Sequence, residues 1–171
     1  LAIESINSVS DKNGIKTSIK NIDEIKVTQV EVDEEGSKKI NKKVGLYTTI
    51  EFIDVTDSNN RKKVLNVFAH ELKNLLSKIN IKEDDSCLVI GLGNASSTPD
   101  SLGPLSVDNV LVTNHLFELK ELSDGFRRVC AINPGVMGTT GIETSDIILS
   151  IVEKIKPDFI LVIDALASGS I

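Results

Sequence analysis

The 171-residue chain contains no Trp, one Tyr, one Met, two Cys and two His. Each shortage excludes a class of protein. Aromatic residues are 4% of the total, too few for the stacking platforms that grip single-stranded nucleic acid. Positive charge is also short, with 19 Lys and Arg against 25 Asp and Glu for a formal net charge of -6. Such a surface cannot displace counterions from a phosphate backbone, so nucleic acid is not an expected partner. Clustered Cys and His at zinc-ligand spacing are missing, and no metal site is assigned from spacing. No apolar run reaches the roughly 18–20 residues of a spanning helix, so a membrane is not an expected partner either. The first residues, Leu1-Ala-Ile-Glu-Ser, lack a basic stretch followed by an apolar one, so no secretory signal is expected. A Leu rather than a Met at the start fits a processed N-terminus.

What is present is ordinary globular material: 40% hydrophobic and 26% charged residues, with a mean hydropathy of +0.04 at 18.5 kDa. That is about one domain's length with enough Ile, Val and Leu for a core. Cys87 and Cys130 border apolar runs and read as small buried hydrophobes in strands, with a disulfide open but not required. His70 and His115 fall inside helical patterns, which favours surface or packing roles.

The first 45 residues read as an N-terminal β-hairpin arm. Ile25 to Val32 alternates, and Asp33-Glu34-Glu35-Gly36 offers the turn. An α/β domain is expected from residue 46 to 171. It opens with a strand at 46–55, followed by cap residues Asp57-Ser58-Asn59-Asn60 and a helix over 61–79. That helix carries an apolar set of Val64, Leu65, Phe68, Leu72, Leu75, Leu76 and Ile79. Apolar strands follow at 86–91, 129–132 and 159–163. Between them lie a helix opened by Gly103-Pro104 and a second preceded by Thr140 and Glu143 at capping-box spacing, which Pro157 ends. This alternation predicts a three-layer αβα fold whose mostly parallel sheet is covered on both faces.

In such sheets ligands bind beyond the C-terminal ends of the strands. Three unusual segments fall there: the loop from Gly91-Leu-Gly93-Asn94 to Thr98-Pro99-Asp100, the loop from Asn133-Pro-Gly135 to Glu143, and Asp164-Ala-Leu-Ala-Ser168. The first lacks the third glycine of a dinucleotide fingerprint and the Gly-Lys-Ser/Thr of a phosphate loop, so no nucleotide cofactor is expected. Asp100 can be a turn or helix cap. Asp164, following four apolar strand residues, has little structural reason to be acidic. Held near each other, two carboxylates share a proton and supply a base and an acid for attack on an amide, or they hold a divalent metal. Two separate structural aspartates are the plain alternative. Gly135, Gly138 and Gly141 recur at every third position; they read as turn geometry or as backbone amides open to a substrate main chain or an oxyanion. Met137 can line a side-chain pocket. Ser101, Thr140 and Ser168 are possible nucleophiles, but none has an evident histidine base.

Taken together, Gly-Leu-Gly-Asn…Thr-Pro-Asp-Ser-Leu-Gly-Pro, Leu-Val-Thr-Asn-His-Leu, Asn-Pro-Gly-Val-Met-Gly-Thr-Thr-Gly-Ile-Glu-Thr-Ser-Asp and Lys-Pro-Asp-Phe-Ile-Leu-Val-Ile-Asp-Ala-Leu-Ala-Ser resemble the germination protease family of spore-forming Firmicutes. The likeness is close from about Leu46 onward and weaker before it. The family is related to the hydrogenase-maturation endopeptidases. The resemblance implies a phosphorylase/hydrolase-like fold and an endopeptidase of the spore core, in the cytoplasm. It would be made as a precursor and assemble as a homotetramer, with small acid-soluble spore proteins as substrates. An aspartic mechanism is implied, with Asp100 and Asp164 catalytic and Asn94, Gly135, Met137, Gly138 and Glu143 near the substrate. No cofactor is implied, although the related maturation enzymes bind metal at the equivalent positions. Ser97 replaces a usual apolar residue, and Gly169-Ser170 replaces a usual Arg-Ser. The resemblance also implies a longer protein with further strands. A metal-dependent maturation-type peptidase and an inactive subunit or binding domain are the alternative readings.

Overall fold

The structure, a computed structural model, describes residues 5–6, 12–119 and 125–166. The chain divides between Asn80 and Ile81 into two compact units, each taken by itself below.

The first unit is built on an antiparallel sheet of β1 (Ile15–Ile22), β2 (Ile25–Val32) and β3 (Gly45–Glu51), in that order. β1 and β2 form the hairpin, but its turn is Asp23-Glu24, with Asp23 at φ 52°. Asp33 to Gly36 is not the turn. The Asp33 carboxylate accepts from the Glu35 and Gly36 amides at 2.9 and 3.0 Å and caps a helix, α1 (Glu34–Ile40). An acidic residue before Glu-Glu-Gly suits a cap as well as a turn, and only the chain's later course separates them.

β3 pairs with β2 from Val32↔Gly45 to Lys26↔Glu51. The strand expected to open the α/β domain therefore completes the N-terminal sheet, and the division lies at 80/81 rather than 45/46. Strand composition does not reveal which partner a strand will find. Ile15, Val30, Val32 and Ile40 pack with Ile6 and Tyr47, while Ile25 and Val27 pack against Val64 and Val67 of α2 (Ser58–Lys78). The Asp57 carboxylate caps α2 through the Asn60 amide at 2.8 Å, as the cap residues predict. The face of α2 is less simple than the apolar set implied. Leu65 and Phe68 are more than half exposed, whereas Glu71 is buried and accepts from Gln29 Nε2 at 2.6 Å.

The second unit holds a parallel sheet of β4 (Cys87–Gly91), β5 (Val129–Ile132) and β6 (Phe159–Ile163), with β4 in the centre. All five β4 residues are buried, which is why that segment is an unbroken apolar run. β6 is an edge strand and differs from expectation: Ile160 and Val162 are exposed, so the sheet is not covered on both faces along its whole width. The connections carry α3 (Leu102–Asp108), α4 (Asn114–Leu119), α5 (Met137–Thr140) and α6 (Thr144–Ile155). The capping box does not form. Glu143 occupies the N-cap of α6 without a side-chain bond, and Thr140 Oγ1 instead accepts from the Ile142 amide at 3.2 Å within its own loop.

The N-terminal edge of this sheet is fastened by polar side chains. Asp158 Oδ2 accepts from both the amide and the hydroxyl of Ser86 at 2.7 Å. The Asp158 amide donates to Ser86 Oγ at 3.1 Å. The Arg127 guanidinium donates to the Asp85 and Lys82 carbonyls and lies 5.0 Å over the Phe159 ring. Thr113 extends the β5 edge by taking the Val129 amide at 2.9 Å. Both cysteines are free, and burial pushes their thiols up, away from thiolate chemistry.

Ile90 is 1% exposed at the centre of β4. Ile90→Ala should cost about 2–5 kcal/mol of unfolding free energy, read by urea denaturation. The hydrogen bonds from Ser86 hold the Asp158 carboxyl below its ordinary range. A depressed folded-state value contributes stability above the unfolded carboxylate range, and that contribution disappears as pH falls through the depressed value. Ser86→Ala should therefore be less stable than the parent at pH 7, with the gap closing below pH ~4. Paired urea curves at the two pH values check it.

Candidate active site

Glycines decide how the first loop crosses the end of the parallel sheet. Leu92 N donates to Ile163 O at 2.8 Å, joining the C-terminal ends of β4 and β6. Gly103, in the first turn of α3, lies on that bond. A Cβ there would meet the Leu92 carbonyl and stand 2.5 Å from Leu92 N and 2.6 Å from Ile163 O. From below, a Cβ on Gly91 would strike the Gly103 carbonyl and come within 2.7 Å of Val107 Cγ2. The backbones thus meet at a distance that no side chain permits.

This contact brings the two expected acids to one end of the sheet. Asp100 ends a 3₁₀ turn, Thr98–Asp100, three residues before Gly103. Asp164 directly follows Ile163. The Asp100 Oδ2 accepts from the Asn94 amide at 2.8 Å, and its carbonyl accepts from the same amide at 3.1 Å. Asp100 therefore secures its own loop, and α3 has no side-chain cap from it. Oδ1 keeps no partner among the described residues. Gly93, at φ 120°, makes room for it: a Cβ there would meet the Asp100 carbonyl and lie 3.1 Å from Oδ1. Asp164 is exposed, and its Oδ1 accepts from the Ala165 amide at 2.9 Å.

Among the other expected residues, Asn94 uses its side-chain oxygen on the Ser96 amide at 2.9 Å, so it meets Asp100 through its backbone. The 133–143 loop follows β5 at the same end of the sheet. Gly135 and Gly141 have φ of 74° and 71°, whereas Gly138 lies within α5 with nothing within 4 Å of a Cβ. Neither conformation nor space requires glycine at 138. The start of α5 has no side-chain cap, and the Met137 and Gly138 amides have no partner among the described residues. Met137 is 54% exposed, and Glu143 is exposed at the N-cap of α6.

The hydroxyl candidates are occupied. Ser101 is buried and donates to Thr98 O at 3.0 Å, and Thr140 is bound within its loop. Ser168 lies outside the described residues. Among the described residues, no three His, Cys, Asp or Glu side chains gather as a metal site, and no helix is long and apolar enough to cross a membrane. The sequence marks Gly91 as the start of a loop and Gly103 as a helix opening but does not pair them, although a glycine ending one apolar strand and another opening the next helix are visible signals of close backbone approach.

The two acids and the uncapped backbone amides thus lie beyond the ends of the parallel strands, where α/β sheets bind ligands. The family model described as germination protease matches residues 3–171, and the chain belongs to that family. It is 54% identical over 168 residues to the germination protease of Geobacillus sp. (strain WCH70), covering 96% of this chain and 45% of the relative. It is 50% identical over 169 residues to that of Priestia megaterium, covering 96% and 46%. With the germination protease of Bacillus cytotoxicus the identity is 45% over 182 residues, covering all of this chain and 50% of the relative. The chain spans about half the length of these curated relatives.

Because Gly138 sits in open helical surroundings, Gly138→Ala should leave the fold intact and raise stability by up to about 1 kcal/mol. Thermal melting checks this.

Proposed function

We propose that the protein is an endopeptidase that begins the breakdown of small acid-soluble spore proteins at germination, with Asp100 and Asp164 activating water. The observation that carries the reading is the Gly103 contact, in which the start of α3, three residues after Asp100, lies against Ile163, the residue preceding Asp164. One ionised carboxylate takes a proton from water as the oxygen adds to the scissile carbonyl. The other, protonated, donates to the carbonyl oxygen or the departing amine. The uncapped amides of Met137 and Gly138 would hold a substrate carbonyl, with Gly135 shaping the loop and Asn94 and Glu143 at its margins. Family membership supports the protease activity and the spore substrate. It also supports a spore-core location and a homotetramer, the latter read by light scattering on the full chain.

The proposed fold class goes with this activity. Right-handed crossovers from β4 to β5, and from β5 back past β4 to β6, run in opposite directions across the sheet and would set their helices on opposite faces, a three-layer αβα arrangement of the phosphorylase/hydrolase-like kind. No cofactor takes part in the reaction so written, and a divalent ion held by the two carboxylates is the competing chemistry.

Asp100→Asn and Asp164→Asn in the full chain should each lower kcat on a small acid-soluble spore protein by about a hundredfold or more while the fold melts as before. Full activity in either folded variant defeats the dyad. Loss of parent activity on chelation, restored by a divalent ion, favours the metal chemistry instead. Gly138→Ala should raise KM without lowering stability, which separates substrate contact from folding.

A further inference from the structure

We propose that Gly93 and Gly103 are positioning residues of the acid pair, setting the separation and aim of Asp100 relative to Asp164. The inference rests on the dyad reading above and concerns what holds the pair together. Gly103 acts on the approach. Its bare Cα lies on the Leu92–Ile163 hydrogen bond of 2.8 Å, one residue from Asp164 and three from Asp100. A methyl group at this point must lift the start of α3 from the strand ends, because every atom it meets is backbone. Gly91 blocks relaxation in the other direction, since its own Cα abuts the Gly103 carbonyl. Gly93 acts on the aim. The Asn94 amide holds Oδ2 at 2.8 Å, and the missing Cβ of Gly93 leaves Oδ1 its space. A methyl group there meets the Asp100 carbonyl first and Oδ1 at 3.1 Å second, and so shifts the turn that carries the carboxylate.

A wedge at either glycine changes the separation or the aim of Asp100 relative to Asp164, and misplacement on the order of 1 Å lowers the rate by about a hundredfold.

The test uses Gly103→Ala and Gly93→Ala in the full chain, with folding verified by near-ultraviolet circular dichroism and activity measured on a small acid-soluble spore protein. Expected are a kcat about ten- to a hundredfold lower and a nearly unchanged KM. In the Asp164→Asn background the same glycine change should lose most of its effect on residual activity. If Gly103→Ala does not fold, the Gly93→Ala result decides. A folded variant with the parent's rate, or one whose effect multiplies fully with Asp164→Asn, overturns the inference. The dyad reading fails separately, by full activity in the aspartate variants. Loss of activity there alongside unaffected glycine variants overturns only the positioning role.

Discussion

The second unit depends on one backbone contact. Gly103 lies on the hydrogen bond from Leu92 to Ile163, with Gly91 beneath it. The C-terminal end of β4, the end of β6 and the start of α3 meet there without any intervening side chain. A parallel sheet leaves the loops at this end free to diverge, and the glycine contact instead draws one loop across the sheet. The geometry available to Asp100 and Asp164 follows from that crossing.

The two ends of the sheet use polar groups in opposite ways. At the N-terminal edge, Asp158 and Ser86 satisfy one another through three hydrogen bonds, and Arg127 spends its donors on carbonyls and its face on Phe159. That edge is a fastening with little hydrogen-bonding capacity left. At the other edge, Asp100 and Asp164 each commit one oxygen to a nearby amide and leave the other without a partner among the described residues. The α5 amides of Met137 and Gly138 remain uncapped at that end. Polar capacity is thus left unused at one end and consumed at the other, and the C-terminal ends are where open parallel sheets bind ligands.

Much of this was legible in the chain. Three unbroken apolar runs announced the parallel strands, of which β4 alone is buried throughout, and Asp57 and Pro157 marked helix ends. The position of Asp164 after an apolar strand put an acid at the end of the sheet. For Asp100 the sequence left a choice between a structural cap and a reactive acid; the carboxylate bonds its loop through Oδ2 and leaves Oδ1 open. Misjudged features share a cause, in that each required knowledge of a distant neighbour. Asp33-Glu-Glu-Gly serves a turn or a helix cap equally well, Thr140 with Glu143 has capping-box spacing without forming one, and Glu71 is buried because Gln29 lies across from it.

By itself, then, the sequence determined the parallel strands of the second unit, the main helices over 58–78 and 144–155, and the acids at strand ends. These depend on periodicity, local caps and spacing along the chain. Only the tertiary structure decided that β3 joins the first sheet, that the division falls at 80/81, and that β6 leaves Ile160 and Val162 uncovered. It also decided that Gly91 and Gly103 touch. Pairing and close approach are properties of segments remote in sequence, set by which surfaces meet, and no local pattern records them.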